Sequence, residues 1–170
     1  MASLMEDLLD VLGKEEEQYL ALVELGNRKR EVVIKADIAS LEKITTEEQE
    51  AASRLQNLAK RRNSVLGDMA TVLGKDPKGM TVSKMIGYLE GQPDEQEKLS
   101  KLRERLLQAG TQMTAINQQN EVLLKQALEM VEFDLTLLKS MRQAPETANY
   151  NKNAYNTGDL LGGSGFDAKQ

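Results

Sequence analysis

Residues 94–144 read DEQEKLSKLRERLLQAGTQMTAINQQNEVLLKQALEMVEFDLTLLKSMRQA, a run bounded by Pro93 and Pro145 with Gly110 as its one glycine. Apolar residues recur every seven positions at Leu102, Ala109, Ile116, Leu123, Met130 and Leu137. A second row runs beside it through Leu99, Leu106, Met113, Asn120, Ala127, Asp134 and Met141. Together they form an a/d seam over about six heptads, broken by the polar Asn120 and Asp134. Asp94-Glu95-Gln96-Glu97 reads as a capping box, and Pro145 places the helix end at Ala144. A helix of this length would run about 75 Å at about 1.5 Å rise per residue. That exceeds the core of a compact domain of this size, so other long helices are expected beside it.

Upstream, Ser3-Leu4-Met5-Glu6 has the form of another capping box. Behind it Met5, Leu8, Leu12, Tyr19, Leu22, Gly26 and Val33 share one helical face, with Glu15 and Lys29 at the remaining heptad positions. Helix 1 is therefore placed at about 3–35. Asp37 caps helix 2, at about 38–73, and the short break at Ala36-Asp37 favours an antiparallel hairpin. Helix 2 offers two seams, both left open: Ile44, Ala51, Leu55, Leu58, Val65, Met69 and Val72, interrupted by Glu48 and Arg62, or Ile38, Leu41, Ala52, Leu55, Ala59, Leu66 and Met69. Setting Leu22 opposite Leu55 aligns Glu15 with Arg62, Lys29 with Glu48, and Tyr19 with Leu58. Gly74 to Gly79 is a loop by its turn residues. Thr81 then caps a short helix at about 82–90, closed by Gly91 as a C′ glycine, which sits like a plug over one end. The expected fold is all-α: an elongated antiparallel bundle of three long coiled-coil helices with one short helix, residues 1–145, and a disordered C-terminal tail, residues 146–170.

Composition narrows the function. The chain has 29% charged and 4% aromatic residues, net charge −5, and neither cysteine nor histidine. Disulfides, thiol chemistry, zinc-finger sites and imidazole acid–base work are excluded, and an acidic balance disfavours nucleic acid. The acidic first apolar stretch does not read as a signal peptide, and no run is apolar enough to span a bilayer, so a cytoplasmic protein with no membrane insertion is expected. Glu15-Glu16-Glu17 lacks the histidines of a carboxylate di-metal bundle and reads as a solvated or salt-bridged face. Arg28-Lys29-Arg30 and Lys60-Arg61-Arg62 lie toward opposite ends of the hairpin, where Lys29 approaches Glu47 and Glu48, and Arg62 approaches Glu15 and Glu16. Gly162-Gly163-Ser164-Gly165 lacks the Gly-Lys-Ser/Thr end of a phosphate loop. No base stands beside a hydroxyl to activate it, so no catalytic or metal site and no cofactor is expected.

One excess remains. Leu124, Leu128, Val131, Leu135 and Leu138 advance by three or four residues and form a second stripe beside the a/d seam. Either helices 1 and 2 bury it, or it stays open as a partner-binding groove for an amphipathic helix. After Pro145 the chain is rich in glycine and asparagine without helical period, yet Tyr150, Tyr155, Leu160, Leu161 and Phe166 are spaced along it. Tyr150 and Tyr155 are candidate auxiliary anchors.

The order of these elements resembles the FlgN-type flagellar export chaperones over nearly the whole chain. The likeness rests on Leu8-Leu9, Glu15 and Tyr19-Leu20, on Lys29-Arg30-Glu31 with Asp37-Ile38 and Leu41 at the hairpin, and on Leu58 with Arg61-Arg62. It continues through Thr81-Val82-Ser83 to Ile116-Asn117-Gln118-Gln119-Asn120-Glu121-Val122-Leu123-Leu124 and the tail's Tyr155-Asn156-Thr157-Gly158. The resemblance implies a non-enzymatic cytoplasmic chaperone. It would bind hook–filament junction proteins, shield their terminal helices and bring them to the type III export gate. Client binding, carried by the C-terminal part of the family, would map onto the second stripe and the tail. The competing reading is a structural coiled-coil adaptor or spacer that self-associates through the same stripe as a homodimer.

Overall fold

The computed structural model describes the backbone of residues 1–157 and the side chains of residues 1–143. Four helices follow in order: α1 Ala2–Ile34, α2 Ile38–Val72, α3 Val82–Tyr88 and α4 Pro93–Thr157. Among the described residues there is no strand, so the chain is all-α. Its packing divides it into two units, Met1–Leu124 and Lys125–Gln170.

In the first unit α1 and α2 form an antiparallel hairpin. α1 ends in a Schellman motif: Ala36 N–H donates to the Val33 carbonyl and Asp37 N–H to the Val32 carbonyl. Ala36 supplies the left-handed residue, at φ 56°, a region that ordinarily favours glycine. Asp37 then serves the next helix too, its carboxylate accepting from Ser40 N–H and hydroxyl. These bonds hold its carboxyl below the ordinary range. α2 closes with a second Schellman motif, Lys75 N–H to the Ala70 carbonyl, with Gly74 at φ 68°. Thr81 caps α3 through Lys84 N–H.

The core gathers where the α1 N-terminus, the α2 C-terminus, α3 and the start of α4 meet. Leu8, Met69, Met85 and Leu99 have no exposure there, and Leu12, Leu66 and Leu89 almost none. Each such side chain contributes roughly 1.5–3 kcal/mol on burial. Gln96 Nε2 donates to the Ile86 carbonyl and ties α4 to the end of α3. The expected plug is thus a sealed hydrophobic end.

Several local expectations need correction. Ser3 does not cap α1, which starts at Ala2 with no side-chain cap. Asp94 is not a cap either. The Gln92 carbonyl accepts the first intrahelical bond from Gln96, and Pro93 takes the first helical position, where a missing N–H costs nothing. Asp94 and Glu95 lie in the first turn and favour the helix dipole, while Glu97 pairs with Lys101. Gly91 is not a left-handed C′ residue; among the described residues Gly74 and Gly79 are the glycines with positive φ. Of the two α2 seams, the first holds better: Ile44, Ala51, Val65 and Met69 are buried, whereas Ile38 and Ala52 of its rival are exposed. Leu66 from the rival row is buried as well, and Val72 from the first is exposed. Finally, α4 passes Ala144 and Pro145 and is helical to Thr157. A proline removes one amide donor from the ladder, and a helix survives that with a local kink. The side chains of Tyr150 and Tyr155, and residues 158–170 with Leu160, Leu161, Phe166 and the Gly162–Gly165 run, lie outside the described residues, as does most of the expected tail.

Candidate partner-binding face

What fixes α1 against α2 is a set of charged seam pairs. Arg62 Nη1 donates to both Glu15 carboxylate oxygens at 2.8 and 3.0 Å. Lys29 Nζ donates to Glu48 Oε1 at 2.9 Å, and Arg28 lies 3.7 Å from Glu47. The two seam pairs belong to one antiparallel register, the one that sets Leu22 opposite Leu55. Glu15 is only 1% exposed, and its burial pushes the carboxyl above its ordinary value, with Arg62's charge and hydrogen bonds opposing the rise. Glu16 does not share Arg62; it turns to α4 and accepts from Arg105 Nε at 2.9 Å.

α4 lies parallel to α1 and comes close to it at Gly26. A Cβ added there would overlap Ile116 Cγ2. With no side chain in the way, Asn120 Nδ2 reaches the Gly26 carbonyl at 2.7 Å. Asn120 is 3% exposed, and its Oδ1 has no hydrogen-bond partner. The polar break in the α4 seam is therefore a contact to α1 backbone.

The two α1–α4 bonds join residues 89 and 94 positions apart in sequence. Burial along α4 changes with position. Leu99, Leu102, Ala109 and Asn120 are buried, and Leu106, Met113, Ile116, Leu123 and Leu124 are half-buried. From Leu128 to Gln143 every residue is exposed.

The expected stripe is thus divided. Leu124 is half-buried and closes the first unit. Leu128, Val131, Leu135 and Leu138 stand in the second unit, 52–63% exposed. On the a/d seam beside it, expected to be buried, Met130, Leu137 and Met141 are exposed, as is Phe133; Val122 of the first unit is exposed too. The sequence reading extended the seam too far because heptad periodicity marks a face without marking where its partner stops.

Chemically this face offers hydrocarbon, thioether and one aromatic ring, with Asp134 among them. In the first unit a shallow depression of about 520 Å³ opens beside Tyr19, Leu106, Leu107, Gly110 and Met113, and no carboxylate or amine lines it. Among the described residues no cluster of three acidic side chains could hold a metal ion, and no helix is long and apolar enough to cross a membrane.

The fold and this face define a helical-bundle protein that presents bare apolar helix rather than a polar cleft. The FlgN protein family model matches residues 1–158, and the chain belongs to the FlgN family, a family of flagellar export chaperones rather than of enzymes. No curated relative and no solved structure matches the chain.

Proposed function

We propose that this chain is a cytoplasmic chaperone for hook–filament junction proteins. It takes their terminal helical segments onto the α4 face at Leu128, Val131, Leu135 and Leu138, shields them, and delivers them to the type III export gate. The observation that carries this reading is the exposure of four large aliphatic side chains at helical spacing along one stripe. Each Leu or Val buried against a client contributes roughly 1.5–3 kcal/mol, so three or four such contacts offset the cost of association. Leu124, Tyr150 and Tyr155 are the further partner-binding residues of this proposal.

The test is co-expression with a junction protein, followed by pull-down and circular dichroism. The wild-type chain is expected to form a stoichiometric complex. Leu128→Glu, which removes one apolar contact and buries a charge in its place, is expected to lose the complex while keeping its helicity. A stable homodimer that ignores junction proteins would support a self-associating spacer instead. Normal client binding by Leu128→Glu would place the site elsewhere.

A further inference from the structure

Between Ala127 and Met141 the circumference of α4 divides into two sectors, and the polar Gln126 and Arg142 stand at the two ends of that span. At about 100° per residue, Glu129, Glu132, Thr136, Lys139 and Ser140 occupy a polar sector of about 140°. The other sector, about 220° wide by the same geometry, is apolar and holds two seams. One is Leu128, Val131, Leu135 and Leu138; the other is Met130, Phe133, Leu137 and Met141. All eight side chains are between 48% and 63% exposed. Asp134 lies between the seams.

One helix packed on another covers a stripe on the order of 100°. A sector of about twice that width is what a helix shows when it has two neighbours. We infer that the α4 face takes two helices of one partner molecule, docked side by side, so that the partner's helix pair and α4 form a three-helix unit. The inference rests on the partner-binding reading above and adds the form of the partner. Asp134 falls where the two docked helices meet, so the partner brings a lysine or arginine to that junction.

A second copy of this chain fits the face less well. Setting Leu128 opposite Leu138 and Val131 opposite Leu135 in an antiparallel self-pair places Glu132 against Glu132 and Lys125 against Lys139. Like charges then face each other on that flank. A parallel self-pair covers one seam and leaves the other in water.

The experiment titrates the full-length chain with a purified hook–filament junction protein by calorimetry. The junction protein is used intact and with either terminal helical segment deleted. Leu135→Glu probes the first seam and Leu137→Glu the second; Leu135→Gln and Leu137→Gln repeat the test without charge. Each glutamate variant is expected to weaken binding of the intact probe at least tenfold at unchanged one-to-one stoichiometry. Deleting one terminal segment is expected to abolish sensitivity to one variant and preserve sensitivity to the other. Sensitivity to Leu135→Glu with indifference to Leu137→Glu would mean a single docked helix, overturning this inference and leaving the chaperone reading intact. Indifference to both, or no binding by the wild-type chain, would overturn both. A dimer or trimer of the free chain that Leu137→Glu dissociates would assign the second seam to another copy and overturn the inference.

Discussion

Replacing Gly26 with alanine tests the contact that seats α4 on α1. In an exposed helix interior the change stabilises by about 1 kcal/mol, because alanine loses less conformational entropy. At Gly26 the new Cβ meets Ile116 Cγ2. That methyl sits on a β-branched carbon with one strongly preferred rotamer in a helix, so it cannot swing clear and α4 has to shift. Overpacking of this kind costs about 1–3 kcal/mol. The shift also stretches the 2.7 Å bond from Asn120 Nδ2 to the Gly26 carbonyl, whose loss leaves a buried amide unpaired at a cost of about 1–3 kcal/mol. Against the gain in propensity, the net effect is a destabilisation of about 1–5 kcal/mol. Two controls lie in the same helices. Gly13 and Gly110 have nothing within 4 Å of an added Cβ, so their alanine variants should gain up to about 1 kcal/mol. The assay is urea denaturation followed by circular dichroism on all three variants. Ile116→Ala should also rescue part of the Gly26→Ala loss in a double-mutant cycle. If Gly26→Ala proved as stable as Gly13→Ala, the close approach of α4 to α1 would be refuted.

Arg62→Ala strands the Glu15 carboxylate, which has 1% exposure, and should cost about 3 kcal/mol in urea denaturation, whereas the double variant Glu15→Leu with Arg62→Leu should lie within about 1 kcal/mol of wild type. Because burial raises the folded-state pKa of Glu15 above 4.5, the folded protein between 4.5 and that raised value holds a proton that the unfolded chain has lost. Its contribution to stability is therefore fully present below 4.5 and is lost as pH rises through the folded value; acidification from pH 7 to 4.5 should stabilise wild type relative to Glu15→Gln, and a relative loss would refute the assignment. Asp37 has the opposite sign: its lowered pKa gives stability present above the ordinary value of 3.8 and lost as pH falls below it, a loss that Asp37→Asn should flatten in an acid titration. Ala36→Gly should raise the urea midpoint by about 0.5–1 kcal/mol in stability, since the left-handed φ costs alanine about 1–2 kcal/mol and the glycine's extra unfolded-state freedom returns part of it.

The long-range register was legible because polar groups sit on apolar seams. Glu15, Lys29, Glu48 and Arg62 interrupt their rows at spacings that match in one antiparallel alignment, and desolvating any of them unpaired is expensive enough to exclude the others. Helix starts were less legible. Ser3 and Asp94 carry the right side chains for caps, but one precedes no free helix end and the other stands behind Pro93, whose ring already fixes the first helical turn. The Gly26 notch had only half a signal in the sequence: a glycine on a core face and an asparagine on another seam, with nothing to pair them until α4 is laid parallel to α1. The stripe from Leu128 to Leu138 was visible as periodicity. Its exposure was not, because burial depends on where a neighbouring helix ends.

The two kinds of helix face ask different things of a sequence. In the first unit polar side chains are placed inside: Glu15, Asn120 and Gln18, the last two each with one buried oxygen unpaired. Such groups lower stability and penalise every misaligned packing more heavily, so they hold α1, α2 and α4 in one register. Between Lys125 and Gln143 the apolar sector holds one acid among its two seams, and two of its large side chains are methionines. Methionine adapts its unbranched chain to irregular surfaces, and leucine repeats at three and four residues accept a facing helix in more than one register. A face built this way gains affinity from apolar area while leaving register and orientation to the partner, with Asp134 as the polar point between its seams and Gln126 and Arg142 at its two ends. On that argument, Asp134→Leu should tighten binding of amphipathic helices in general and weaken discrimination among them, the trade that polar seam residues make in coiled coils. Calorimetric titration of the wild-type and Asp134→Leu chains against a junction protein and an unrelated amphipathic helical peptide measures both quantities. Equal discrimination by the two chains would show that Asp134 has no part in selecting the partner.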